Sequence, residues 1–304
     1  MGSYVHRQKR GIEMKIVIVG SEGFIGRTMV RRALMDGNEV VGVDIPKESP
    51  VTDAGYTYRC VDSVDDAVLE NADGMVLLAA KRPIGAFTLD DYFGNIGIIQ
   101  KNLELAIEKG ITNIVFASSI SVYSGEKLPW TETDYSVPLN LYGASKLACE
   151  NIGLLQSRTK GLRFKALRFG HVIGPNEKNG FFVNLTVQNA REKKTQTIYG
   201  TGEQKRHYIA VPDVCAAVLC ALKHPDECGV YNIGMARTYT NNEVVETVNR
   251  VFQNAGNAVH DLSKQMIGGD DGMSVAKAQE KLGFAAAYDL EKTFLYIKSE
   301  IERS

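Results

Sequence analysis

The chain has few cysteines and no pattern among them. Its five (Cys60, Cys149, Cys215, Cys220 and Cys228) are odd in number, form no Cys-x-x-Cys pair, and are joined by no histidine at metal-ligand spacing. A disulfide framework and a metal site are thereby set aside, and the thiols read as reduced packing residues of a cytoplasmic protein. Charge of one sign is lacking too. With 35 Lys and Arg against 36 Asp and Glu, the formal net charge is −1, so no global basic field argues for nucleic acid or an anionic membrane as partner. No run approaches the ~20 apolar residues that span a bilayer, and there is no internal repeat or low-complexity segment. Residues 1–13, which include His6-Arg7-Gln8-Lys9-Arg10, lack the apolar segment of a signal peptide and read as a disordered N-terminal extension.

What is present is enough apolar material, 44% of 304 residues, to bury a full core. The most informative segment is 16–26, Ile-Val-Ile-Val-Gly-Ser-Glu-Gly-Phe-Ile-Gly, followed by a second apolar run, 39–43, that Asp44 closes. The pattern predicts a strand, a glycine-rich turn, a helix and a second strand ending in a carboxylate. Amides at a helix N-terminus make an anion site, because unpaired N–H groups and the helix dipole both favour negative charge. Gly20 permits the sharp turn, Gly23 lets a pyrophosphate approach the main chain, and Gly26 lets the helix pack on the strand; Phe24 and Ile25 complete the turn. Asp44, about 20 residues on, suits an adenosine ribose diol and repels a 2′-phosphate, which favours NAD over NADP. Glycines also collect in turns without a ligand, but the strand, helix and carboxylate around these favour a dinucleotide site.

Strand-like runs recur at 15–19, 39–43, 74–79, 112–117 and 162–169, with helical patterns between them. Such alternation implies an α/β fold: a doubly wound parallel sheet of Rossmann type with right-handed crossovers. After His171-Val172-Ile173-Gly174-Pro175 the alternation fails. Helices are expected near 181–193, from Pro212 to about 223, from a Thr240-Asn241-Asn242-Glu243 capping box to about 255, and near 274–282 and 290–302. We therefore divide the chain into a cofactor-binding domain over 14–174, with 206–234 returning to it, and a smaller, mainly helical substrate lobe over most of 175–304. Ligands of open α/β sheets lie at the carboxyl ends of the strands, so the lobe should cover that edge.

Tyr142-Gly143-Ala144-Ser145-Lys146 places a phenol and an ammonium on one helix face. A phenol titrates near pH ~10, and an adjacent cation favours its ionised form, giving an acid/base able to take a hydroxyl proton as hydride leaves the carbon. Tyr-x-x-x-Lys is by itself common on solvated helices; its position after a strand of a dinucleotide fold is what singles it out. That strand continues as Ser118-Ser119-Ile120-Ser121-Val122-Tyr123, delivering hydroxyls to the carboxyl edge of the sheet. Serines there can bind a substrate oxygen, and at least one is expected to serve instead as a cap or turn residue.

These motifs, with Cys60-Val61-Asp62, Leu78-Ala79-Ala80, Asn95, Leu167-Arg168-Phe169, Gly174-Pro175 and Gly200-x-Gly202-Glu203-Gln204-x-Arg206-His207-Tyr208, stand in one order along the chain. From residue 15 to about 300 the sequence resembles extended short-chain dehydrogenases/reductases of the NAD-dependent epimerase/dehydratase family, in particular their nucleotide-sugar epimerases. The resemblance implies that Ser119, Tyr142 and Lys146 are catalytic, with Lys146 also on the nicotinamide ribose. It implies that Asp62 bonds the adenine, that Leu78, Ala79 and Ala80 line the cofactor, and that Asn95 sits behind the nicotinamide. Substrate would meet Ser119, Ser121, Tyr142, His171 and Arg206, the last gripping a diphosphate through its planar fork. It further implies a homodimer joined through the helices near 96–109 and 141–158.

Family dehydratases carry Asp-Glu directly after the catalytic hydroxyl residue, and decarboxylases keep the Glu; here Ile120 and Ser121 stand there, which disfavours both reactions. Two departures bear on the substrate. His171 replaces a usual Asn and could bond a phosphate, act as a second acid/base or simply pack, and no arginine occurs around Met266–Gly272 to serve as a second diphosphate ligand. The leading expectation is an NAD-dependent nucleotide-sugar epimerase acting at C4. The alternatives are an NAD-dependent dehydrogenase or reductase of a nucleotide sugar or smaller carbohydrate, and a non-catalytic dinucleotide- or RNA-binding relative.

Overall fold

Valine and isoleucine dominate the strands, and successive residues of each strand face opposite sides, so runs such as Ile16-Val17-Ile18-Val19 can be buried only with helices on both faces. The computed structural model describes residues 13–45, 48–49, 51–61, 69–125, 127–175, 177, 180–255, 258–264 and 268–303, and shows that arrangement. Strands β1 (Lys15–Val19), β2 (Glu39–Asp44), β3 (Tyr56–Cys60), β4 (Gly74–Leu77), β5 (Asn113–Ser119), β6 (Arg163–Phe169) and β8 (Gly229–Ile233) form one sheet in the order β8-β6-β5-β4-β1-β2-β3. Every pairing in it is parallel.

The two faces divide the alternating residues between them. Ile16, Ile18, Val40, Val76 and Val115 pack with helix α1 (Phe24–Met35) and helix α5 (Val211–Leu222). Val17, Val19, Val41, Met75 and Ile114 pack with helix α2 (Leu89–Glu108) and helix α3 (Leu141–Lys160). A third apolar cluster builds the lobe from helix α4 (Phe182–Arg191), helix α6 (Asn241–Val251) and helix α7 (Leu290–Arg303), around Val187, Tyr208, Val248 and Phe294. The predicted Thr240–Glu243 capping box is present. Asp213 joins lobe and sheet, its carboxylate accepting from the amides of Ala287 (3.1 Å) and Tyr288 (2.9 Å).

Three expectations need correction. Strand β3 was not among the predicted strands: as Tyr-Thr-Tyr-Arg-Cys at the sheet edge, half-buried throughout, it carries no apolar run. Helix α2 starts at Leu89, well before the expected 96, because Thr88 and Asp91 form a reciprocal capping box ahead of the apolar periodicity. Helix α6 ends at Val251 rather than near 255, since Gln253 turns left-handed with φ of 53°. The expected N-terminal extension lies outside the described residues except for Glu13, whose amide reaches the Gly37 carbonyl.

At the amino end of the sheet, Lys165 is fully buried in β6. Its ammonium donates to Asn113 Oδ1 (2.8 Å) and to the carbonyls of His224 (3.2 Å), Glu227 (3.3 Å) and Arg163 (3.4 Å). Burial pushes it down from 10.5 to about 8. Lys165→Met strips four acceptors of their donor and should lower stability by about 1–3 kcal/mol at neutral pH. Because the folded value lies below the unfolded one, the unfolded chain holds more protons between about 8 and 10.5. The wild type should therefore gain stability relative to the variant as pH rises through that window. Urea titrations on either side of it check the sign.

Candidate active site

The glycine-rich turn is shaped by contacts that leave no room for side chains. Gly20 has φ of 90°, and a Cβ there would lie 2.6 Å from the Ala79 amide nitrogen; a Cβ on Gly26 would lie 2.0 Å from the Gly20 carbonyl oxygen. Gly23 is the N-cap of α1, with no side-chain cap bond and no acidic residue in the first turn, so the amides there keep their anion-binding character. Phe24 and Ile25 open this helix; the Phe24 ring packs near Gly174, and Ile25 packs on the core. Asp44 ends β2 and accepts from the amides of Glu22 and Ile45, each at 2.7 Å, leaving acceptor capacity on both oxygens.

Ala79, Ala80, Asn95 and Lys146 line one small cavity under the carboxyl edge of the sheet. Leu78 is not in that lining and packs toward the opposite face. Asn95 accepts from the Lys81 amide (2.7 Å) and donates to Ser145 Oγ (3.1 Å), tying α2 and the loop after β4 to α3. Asp62 lies outside the described residues.

Tyr142 and Lys146 share the first turns of α3, which Asn140 caps. The Lys146 ammonium is buried, donates to the Ala117 carbonyl at 2.7 Å, and lies 5.7 Å from the centre of the Tyr142 ring. Phe87 meets the same ring edge-on at 5.7 Å. Gly143 explains how the helix comes so near the turn that follows β5: a Cβ there would be 2.0 Å from the Ser121 carbonyl oxygen. Ser119 ends β5 and caps the short 3-10 turn Ile120–Val122, accepting from the Ser121 amide and donating to Ser121 Oγ, both at 3.1 Å. The capping role foreseen for one of the serines thus falls on Ser119 itself.

Ser119 is in register with Phe169, two residues before His171, so the next strand, β7 (His171–Ile173), leaves from the same edge. His171 and Arg206 are brought together by a residue far away in sequence. Asp271 Oδ2 lies 2.8 Å from His171 Nε2 and 3.6 Å from Arg206 Nε, and Oδ1 accepts from the His207 amide at 2.6 Å. Burial alone would raise this carboxyl; the hydrogen bond from His171 and the charge of Arg206 hold it below the ordinary carboxylate value. Arg206 also donates to the Lys205 and Gly269 carbonyls. Beneath it His207 is buried, and burial lowers its affinity for a proton. Its Nδ1 accepts from the Met273 amide (2.9 Å), so Nε2 carries the hydrogen toward the Met235 carbonyl (2.7 Å). That neutral ring fastens the 268–273 loop to the strand edge.

The fold recurs in known proteins. Residues 16–234 match the NAD dependent epimerase/dehydratase family. The chain is 31% identical to UDP-glucose 4-epimerase of Lacticaseibacillus casei, over 91% of this chain and 93% of that one. The chain belongs to the NAD dependent epimerase/dehydratase family. Among solved structures, UDP-N-acetylglucosamine 4-epimerase from Bacillus cereus superposes with a TM-score of 0.84 at 32% identity, covering 95% of this chain and 99% of that one. MoeE5 in complex with UDP-glucose and NAD gives 0.82 at 26% identity with the same coverage. As a member of this family the protein is an NAD-dependent enzyme of the extended short-chain dehydrogenase/reductase type, with NAD as cofactor. The residues present fit that cofactor: uncapped amides at the α1 N-terminus, a turn drawn tight where Gly20 and Gly26 admit no side chain, and open acceptors on Asp44.

Sequence reasoning missed the pair that holds this edge of the sheet together. Glu150, two helical turns beyond Tyr142, accepts from Arg168 Nε (2.9 Å), Arg168 Nη2 (2.6 Å) and Ser118 Oγ (2.5 Å), and both charged side chains are almost fully buried. Arg168 also lies over the Tyr123 ring at 4.6 Å. The signal was available: an arginine flanked by Leu167 and Phe169 in a strand of the core needs an acid, and Glu150 follows Tyr142 and Lys146 at intervals of four. Asp271 gave no such signal, since nothing local ties it to His171. Glu150→Ala leaves Arg168 buried without its counter-charge and should cost about 3–5 kcal/mol of stability, read from urea denaturation.

Proposed function

We propose that the protein is a nucleotide-sugar 4-epimerase. The observation that carries this reading is the meeting of Tyr142, Lys146 and Ser119 at one edge of the sheet, with Ile120 and Ser121 where dehydration or decarboxylation would require a carboxylate. NAD, when bound, supplies reversible hydride acceptance at the sugar carbon. Gly20, Gly23, Phe24, Ile25 and Gly26 would hold its pyrophosphate. Asp44 would hold the adenosine ribose and Lys146 the nicotinamide ribose, with Leu78, Ala79, Ala80 and Asn95 along its length. Tyr142 takes the proton from the sugar hydroxyl and returns it after the sugar has turned over. Ser119 and Ser121 hold that oxygen, so its position survives the change of face. The Lys146 ammonium, fixed by the Ala117 carbonyl, supplies positive charge beside the phenol.

Arg206 is read as the diphosphate ligand, with His171 beside it. One observation favours a second reading. Asp271 offsets part of the positive charge of Arg206 and engages the Nε2 of His171, which suits a less anionic substrate and keeps open a dehydrogenase or reductase of a smaller carbohydrate or polyol. We also infer a cytoplasmic homodimer. Leu89, Phe93 and Ile107 on α2 and Leu141 and Leu155 on α3 are exposed apolar residues on adjacent helices, and a partner's equivalent pair would bury them. Light scattering should return twice the chain mass at micromolar protein.

Tyr142→Phe should lower kcat on a UDP-hexose by about 10²–10⁴, the usual range for a positioned acid/base, with NAD still bound because the ring remains. Arg206→Ala should raise KM for the nucleotide sugar, reflecting loss of a charge-assisted bond of about 1.5–3 kcal/mol, and leave NAD binding unchanged. Steady-state kinetics with parallel NAD titration check both. A KM unmoved in Arg206→Ala favours the smaller-carbohydrate reading.

A further inference from the structure

The cofactor turn contains a second carboxylate, Glu22, that no step above uses. Its amide donates to Asp44, while its own side chain, 1% exposed, turns inward. Oε1 accepts from Ser49 Oγ (2.5 Å) and Tyr56 OH (3.1 Å). Oε2 is buried with no hydrogen-bond partner and lies 3.3 Å from Arg27 Nε, on a guanidinium about half exposed on α1.

The fold makes room for this arrangement. Gly42 interrupts β2 where a Cβ would lie 2.4 Å from the Tyr56 hydroxyl and 2.7 Å from Ser21 Oγ, so a larger residue would drive the phenol away from Glu22. Burial holds Tyr56 above its ordinary value, which keeps it a donor. The Tyr58 hydroxyl donates to the Asp44 carbonyl at 3.4 Å. It is pushed up to about 12 by burial and then by the charges of Asp44, Cys60 and Glu22.

We propose that Glu22 is a specificity residue for the cofactor, acting in two ways. It sets a second negative charge beside Asp44, and it engages Arg27, the guanidinium that would otherwise be available to a 2′-phosphate. The proposal rests on the placing of the adenosine ribose at Asp44. A 2′-phosphate brought to that ribose meets the carboxylates of Asp44 and Glu22, with the Arg27 guanidinium already paired. At the effective dielectric of a protein surface, each unit charge within several ångströms shifts binding by about tenfold or more. The NAD diol carries no charge and is indifferent to Glu22.

Calorimetric titration of NAD and NADP into the wild type, Glu22→Gln, Glu22→Gln/Arg27→Ala and Asp44→Asn tests this. Gln keeps an oxygen for Ser49 and Tyr56 and removes only the charge; Glu22→Ala serves if the amide disturbs folding. Glu22→Gln should raise NADP affinity relative to NAD by about tenfold or more, and Arg27→Ala in that background should cancel most of the gain. An affinity ratio unmoved by Glu22→Gln, while Asp44→Asn moves it, overturns the proposal and leaves the ribose at Asp44. A ratio unmoved by either variant overturns the ribose placement and the proposal together.

Discussion

The buried pair Arg168–Glu150 is the interaction on which the working edge of this protein depends. Taking two charges out of water costs several kcal/mol per ion, and only close, multiply bonded geometry offsets that cost. Here Glu150 meets two nitrogens of Arg168 and the Ser118 hydroxyl, so helix α3, strand β5 and strand β6 cannot shift independently. Tyr142 and Lys146 ride on that helix and Ser119 follows Ser118. The relative position of the proposed catalytic groups is thus inherited from a charge pair that touches none of them.

The constraint extends outward into the lobe. Arg168 packs on Tyr123, whose hydroxyl lies 2.9 Å from Asn232 Oδ1 and 3.0 Å from the Thr131 carbonyl. The Asn232 amide in turn donates to the carbonyls of Trp130 and Ser274. Trp130 stands in a bridge with Met273, whose amide His207 accepts. A continuous chain of contacts therefore links the end of β5 to the loop that carries Asp271, and through it to His171 and Arg206. The glycine turn, the Tyr142–Lys146 helix and the Asp271 cluster are held to one edge by packing that is mostly apolar and a few buried polar bonds.

Much of this was legible in the sequence, because its signals are local. The glycine turn followed by Asp44, the alternating core strands, the Tyr142–Lys146 spacing and the Thr240 capping box are all patterns within a few residues, and family membership agrees with the resemblance they suggested. What escaped was non-local or unlabelled by hydrophobicity. Strand β3 is defined by its neighbour rather than by its own composition, and α2 begins on a polar cap. Asp271 acquires meaning only when a loop 100 residues from His171 folds back onto it. Glu22 looks like a variable position of a glycine turn until Tyr56 and Gly42 are seen to be arranged around it.

The central claim is that this edge oxidises a sugar carbon and returns hydride to the same molecule. The most direct measurement incubates the purified protein with UDP-glucose, and separately with UDP-N-acetylglucosamine, without added NAD. Proton NMR follows the sugar while near-ultraviolet absorbance follows reduced cofactor. The C4 epimer of at least one of them is expected to grow to an equilibrium mixture with no net accumulation of reduced cofactor. No epimer from either sugar, with reduced cofactor accumulating in proportion to an oxidised product once NAD is supplied, would contradict it.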